Sequence, residues 1–136
     1  YSVKRRSESG RRYFGGTDIC EIIHAKTVRG RSQYSGVTAS VTFVAEHKTA
    51  WESALKAADA VLAGYRPGHP WNEVMYYLNP GKSDHQGRCW FRTKLVEVGW
   101  FQDHLFYREP ADDRERLTLM MQELPDECLK RLAAKV

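Results

Sequence analysis

Apolar positions fall at helical spacing in the first half of the chain and in its last quarter, with a β-like pattern between Pro70 and Pro110. Ile19, Ile22 and Ile23 stand at i, i+3 and i+4. Thr17-Asp18 ahead of them offers a capping oxygen and a first-turn carboxylate, which predicts a short helix over 18–25 with one face in the core. Trp51, Leu55, Ala58 and Leu62 mark the stripe of a longer helix from about Thr49 to Ala63. Thr49-Ala50-Trp51-Glu52 reads as its capping box, Gly64 and Pro67 close it, and Ala54, Ala57, Ala58, Ala60 and Ala63 supply propensity and room for a close neighbour. This alanine-rich helix is expected to be central, its stripe buried against the three isoleucines.

Residues 28–40, rich in Gly, Ser and Arg, read as loop, and TASVTFV after them suits a short strand. MYYL is an aromatic strand stopped by the turn formers Asn79-Pro80-Gly81. A loop to Arg88 leads to CWF and KLVEV, both read as extended. WFQDHLFY then alternates as one strand, with Trp100, Gln102, His104 and Phe106 on one face and Phe101, Asp103, Leu105 and Tyr107 on the other. Two helical segments parted by Pro125 follow, striped by Leu117, Met120, Met121 and Leu124 and then by Leu129, Leu132 and Ala133. Helices around a small antiparallel sheet make the expected fold class α+β.

With 136 residues, 42% of them hydrophobic, the chain suits one domain with a core of its own. No apolar run is long enough to span a membrane, and no basic-then-apolar leader stands at the start, although a chain that begins at Tyr1 leaves its location unread. Cys20, Cys89 and Cys128 show neither C-x-x-C nor Cys-His zinc spacing, so neither metal nor other cofactor is implied. Three thiols, or one disulfide and one spare cysteine, fit equally well. Charge changes the picture more. Up to Arg31 there are eight Lys or Arg (Lys4, Arg5, Arg6, Arg11, Arg12, Lys26, Arg29, Arg31) against Glu8, Asp18 and Glu21. Such an end is either a solvated face or a surface for an anionic partner: nucleic acid, an acidic envelope polymer or a membrane surface.

Taken in order, SVKRR, TDICEII, QYSG, WESALKAADAVLAG, MYYLNP, the isolated Trp90 and DHLFYR resemble the landmarks of the SleB-type cell wall hydrolases, the family of spore-cortex-lytic enzymes and related phage and bacterial peptidoglycan-cleaving domains. The resemblance covers about residues 2–108 and leaves 109–136 as a C-terminal helical extension of a single domain spanning 1–136. It implies a lysozyme-like fold, cleavage of peptidoglycan glycan strands by a muramidase or lytic transglycosylase route, and a place in the cell envelope, the periplasm, the medium or a phage particle. The chain departs from the family pattern at Tyr34, where phenylalanine is usual, at Gly36, and at Gln102-Asp103 before the histidine. The family's catalytic glutamate lies on a helix ahead of the segment matching SVKRR, so the resemblance places that acid upstream of Tyr1. Glu8, in the loop expected after that helix, is the nearest glutamate within the chain.

Glycosidic cleavage needs a carboxylic acid to protonate the leaving oxygen, and either a second carboxylate or a hydroxyl of the sugar to complete the reaction. For the groove, the resemblance points to Gln33, Tyr34, Ser35, Tyr76, Tyr77, Asn79, Trp90 and His104 as substrate contacts. Their types suit a sugar, because aromatic faces pack on the C–H face of a pyranose while amides and hydroxyls reach its polar groups. Each also has a plain structural reading. One of Tyr76 and Tyr77 must face the core, Gln33 and Ser35 can satisfy loop backbone groups, and a histidine on an aromatic face is usually structural. Two alternatives stand beside the enzyme: a nucleic-acid-binding module using the basic residues with Tyr13, Phe14 and Tyr34, and a non-catalytic virion or envelope structural protein.

Overall fold

A computed structural model describes residues 1–27, 29–34 and 46–129. Ser35, the stretch TASVTFV, Leu132 and Ala133 lie outside the described residues. The architecture is α+β, with helices on either side in sequence of a three-stranded antiparallel sheet. It divides into two compact units, Tyr1–Gly68 and His69–Val136.

In the first unit, α1 (Ser2–Ser9) ends at Gly10, whose left-handed φ of 65° turns the chain and lets its N–H close on the Ser7 carbonyl. Glu8 is thus helical rather than in a following loop. A 3-10 turn at Arg12–Phe14 follows, then α2 (Ile19–His24), capped not by Thr17 but by Asp18, whose carboxylate accepts from the Glu21 N–H. Phe14 and Ile22 are the two largest fully buried side chains of the described residues. Gly15 lets α2 come close, since a Cβ there would lie 2.9 Å from the Glu21 carbonyl oxygen.

α3 (Lys48–Leu62) forms within a residue of its expected bounds, but two expectations fail there. The N-cap is His47 and no side chain caps it, so Thr49 is not the first residue of a capping box; Glu52 instead lies 4.0 Å from Lys48. The stripe is not in the core either: Trp51, Leu55 and Leu62 are 44, 47 and 64% exposed, and α3 buries none of its residues. Amphipathic spacing gives a helix a face that can be covered; it does not supply the cover.

In the second unit, β1 (Tyr76–Leu78) pairs with β3 (His104–Arg108), and β3 with β2 (Val96–Phe101), giving the order β1-β3-β2. WFQDHLFY is therefore a hairpin rather than one strand. Trp100 and Phe101 end β2, the chain turns at Gln102 with φ 53°, and β3 starts at His104. CWF is also not extended: α4 (His85–Lys94) contains it, started by Asp84, whose carboxylate accepts from the Gly87 N–H at 2.7 Å. β-favouring Cys-Trp-Phe and a glycine in the first turn hid this helix, yet Phe91 packs on the sheet and Leu95, which ends the helix, is buried.

α5 (Asp113–Met121) is held by polar and covalent ties rather than by its stripe, since Leu117, Met120 and Met121 are exposed. The Arg108 guanidinium donates to the Glu115 carboxylate at 2.8 Å, the Gln122 amide donates to the Arg92 carbonyl at 2.7 Å, and a Cys89–Cys128 disulfide joins α4 to the segment that follows. Cys20 is free and exposed, which resolves the cysteine alternatives as one disulfide and one spare thiol.

Candidate functional site

The sheet of the second unit has two unlike faces. Because strand side chains alternate, Tyr76, Leu105 and Tyr107 point one way and Tyr77, His104 and Phe106 the other. The first face is covered by α4. Phe91 meets Tyr107 edge-on at 5.1 Å and Tyr76 at 6.0 Å, and Trp90 lies 5.9 Å from Tyr76. Tyr76 is buried and its hydroxyl donates to the Glu109 carboxylate at 3.1 Å. Burial, with the Glu97 carboxylate second, pushes the Tyr107 phenol up from its ordinary value.

The second face carries a row of rings. Trp71 meets Phe106 at 5.7 Å, Phe106 meets Tyr77 at 5.6 Å, and Tyr77 meets His104 edge-on at 5.5 Å. Tyr77 is 38% exposed, His104 and Phe106 are half-buried, and Phe101, paired with His104 at the hairpin end, is exposed. Trp71 can lie on β2 because residue 99 is glycine: a Cβ there would stand 3.2 Å from Cζ2 of the indole. The 3-10 turn Trp71–Glu73 that presents the indole is tied to β3 by Arg108, whose Nε is 3.6 Å from the Glu73 carboxylate. Asn79 ends β1 in an Asx turn, its side-chain oxygen accepting from the Gly81 N–H at 3.0 Å. Among the described residues its amide nitrogen makes no such bond.

The predicted contacts of this unit are thus divided. Tyr77 and His104 come together on the open face with Asn79 at the strand end, whereas Tyr76 and Trp90 meet on the covered face. Trp71 and Phe106 belong to the ring row and were not singled out from the sequence. Gly99, the residue that admits the indole, was the available signal, but which ring needs it is a tertiary fact.

In the first unit Gln33 and Tyr34, the described residues of QYSG, are built into the framework. The Gln33 side-chain oxygen accepts from Arg6 Nη1 at 2.9 Å, and its amide nitrogen donates to the Tyr13 carbonyl at 2.9 Å and reaches the Lys26 carbonyl at 3.5 Å. Tyr34 is buried. The Arg6 guanidinium, 6% exposed as a residue, sits 4.6 Å from the centre of the Phe14 ring and 4.9 Å from that of Tyr34. Sequence reasoning counted Arg6 only as a charge. With Phe14 and Tyr34 committed to Arg6, only Tyr13 of the three interleaved aromatics is exposed for stacking. Glu8 binds Arg66 and lies 3.5 Å from Arg5. The sulfurs of Cys89 and Cys128, near the Glu127 carboxylate, are joined to each other and are not thiolates for a metal.

A family model described as Cell Wall Hydrolase matches residues 3–107, which covers α1 through β3 and every element just described except the C-terminal helical part. No curated protein and no solved structure matches the chain.

Proposed function

The chain belongs to the cell wall hydrolase family, and from that premise we propose that it takes part in cleaving the glycan strands of peptidoglycan, by a muramidase or lytic transglycosylase route, with the open sheet face as its sugar platform. One observation carries this reading: Tyr77, Phe106 and Trp71 form a continuous row on a face that, among the described residues of this unit, no α-helix is seen to cover, while the opposite face is packed by α4. A saccharide offers the complement, an alternation of C–H faces and polar edges, which rings and the Asn79 amide can meet together.

In this reading the architecture is lysozyme-like and residues 1–136 act as one functional domain, with 109–136 as its helical extension. The proton donor for the leaving oxygen is a glutamate outside this chain, on the helix that precedes the SVKRR segment in the family. Positioning is then the contribution of these residues. A strand held on a rigid sheet presents its scissile oxygen to a fixed acid, and orientation alone is worth several orders of magnitude in rate. Gln33, Tyr34 and Ser35 are proposed as the first unit's part in substrate binding, with Gln33 and Tyr34 acting by positioning through Arg6.

The disulfide favours an oxidising compartment, as an envelope or secreted location provides. No helix among the described residues is long and apolar enough to cross a membrane.

Retention of the full chain on purified peptidoglycan tests the platform. Tyr77→Ala is expected to weaken it by about tenfold, the loss of about 1.4 kcal/mol of ring contact, with an unchanged Tm because the ring is partly exposed. Tyr76→Ala, by contrast, should lower Tm. Unchanged retention by Tyr77→Ala overturns the reading.

A further inference from the structure

The basic end of the chain acquires a definite shape in the first unit. Two backbone segments far apart in sequence are fastened by one side chain. Gln33 donates to the carbonyl of Tyr13, in the turn that follows Arg11, and reaches the carbonyl of Lys26, at the base of a second loop. That loop is closed by a bridge between Lys26 and Ser32, by the Thr27 N–H on the Arg31 carbonyl at 2.8 Å, and by the Gly30 N–H on the Thr27 carbonyl at 2.9 Å. Arg12 projects from the turn and Lys26 and Arg29 from the loop, all three exposed. The cations that serve the fold are different ones: Arg6 lies on its two rings, and Arg5 and Arg66 hold Glu8.

A group of exposed cations on fastened backbone, with no ion pair among the described residues, is a surface for an anion, and its pattern indicates which. Nucleic acid carries a charge about every 1.7 Å of helix axis and rewards an unbroken positive track with rings for its bases. Here Asp18 and Glu21, both exposed, lie along the adjacent α2, and Phe14 and Tyr34 are withdrawn into the core. Separate cations with acids beside them suit separate carboxylates, which a guanidinium grips in a planar, two-point fashion. In peptidoglycan the lactyl carboxyl of a peptide-bearing sugar is tied up in the amide to its stem peptide, so the free carboxylates there are those of the peptide.

We infer that Arg12, Lys26 and Arg29 form a docking face for the stem-peptide carboxylates of peptidoglycan, so that the chain distinguishes peptide-bearing from naked glycan. The inference rests on the wall-glycan reading above but concerns a separate surface.

The test compares binding of the full chain to intact sacculi and to glycan strands stripped of peptides by an amidase and then capped as amides at the lactyl carboxyls so freed, with a DNA oligonucleotide as competitor. Intact sacculi should bind about tenfold more tightly, and the difference should shrink as salt is raised from about 50 to about 300 mM. The triple variant Arg12→Gln, Lys26→Gln, Arg29→Gln should lose that preference while keeping its Tm and its binding to stripped strands. Equal binding of the unaltered chain to both preparations, a preference that survives in the triple variant, or displacement by DNA at a lower charge concentration than free stem peptide each overturns the inference. Binding to intact sacculi but not to stripped strands supports this face and defeats the sugar platform. Equal binding that Tyr77→Ala abolishes does the reverse.

Discussion

Gln33 offers the sharpest test of what QYSG is for. Its side chain makes a charge-assisted bond with the buried Arg6 guanidinium at 2.9 Å and a neutral bond to the Tyr13 carbonyl at 2.9 Å, with a third, long contact at 3.5 Å to Lys26. The first is worth about 1.5 to 3 kcal/mol and the second about 0.5 to 1.5, while the last is too long to count. Gln33→Ala removes both and leaves a buried cation short of an acceptor, so equilibrium unfolding in urea should show a loss of about 2 to 4 kcal/mol. Gln33→Glu keeps an acceptor for Arg6 but sets a carboxylate oxygen against the Tyr13 carbonyl, and should fall between. In a double-mutant cycle with Arg6→Met, the two sites should couple by about 1 kcal/mol or more, because each single change removes one partner of the other group. A cost below about half a kcal/mol, together with abolished retention on peptidoglycan, would mean that the amide is reserved for a ligand, and the structural argument would be refuted.

Other outcomes follow from burial and titration. Ile22→Ala should cost about 2 to 5 kcal/mol because its side chain is fully buried. Leu55→Ala, by contrast, should cost under about 1 kcal/mol on a half-exposed face, and a large loss on thermal denaturation would show that the stripe of α3 is covered in solution. Removing the Cys89–Cys128 bond, whose partners are 39 residues apart, should lower stability by about 3 to 4 kcal/mol on the chain-entropy account, measured as denaturation with and without reductant. Tyr107 has a folded pKa raised above its ordinary value of 10.0, so the unfolded chain releases this proton first. Stability should therefore fall as pH rises above that value, and Tyr107→Phe should flatten the fall in denaturation midpoints.

What the sequence determined by itself was local and ordered. The spacing of Ile19, Ile22 and Ile23 behind Asp18 specifies α2, the alanines and Trp51-Leu55-Leu62 specify α3 within a residue, and Asn79-Pro80-Gly81 ends β1, because caps, propensities and turns act within a few residues. The order of the short motifs likewise carried the family, which the match over 3–107 bears out at the level of cell wall hydrolases.

Tertiary structure decided which capabilities are used. Periodicity gave α3 an apolar face but not a neighbour. Alternation in WFQDHLFY fitted a single strand until the chain turned at Gln102, and β-favouring residues in CWF yielded to the Asp84 cap and to packing on Tyr76 and Tyr107. The sorting of Tyr77 and His104 onto one face and Tyr76 onto the other depends on which side α4 covers. The pairing of Cys89 with Cys128, the closure of Gln33 on Arg6 and the seating of Trp71 on Gly99 join residues 27 to 39 positions apart. Such contacts are selected by how whole elements pack, and a sequence window of one element does not contain them.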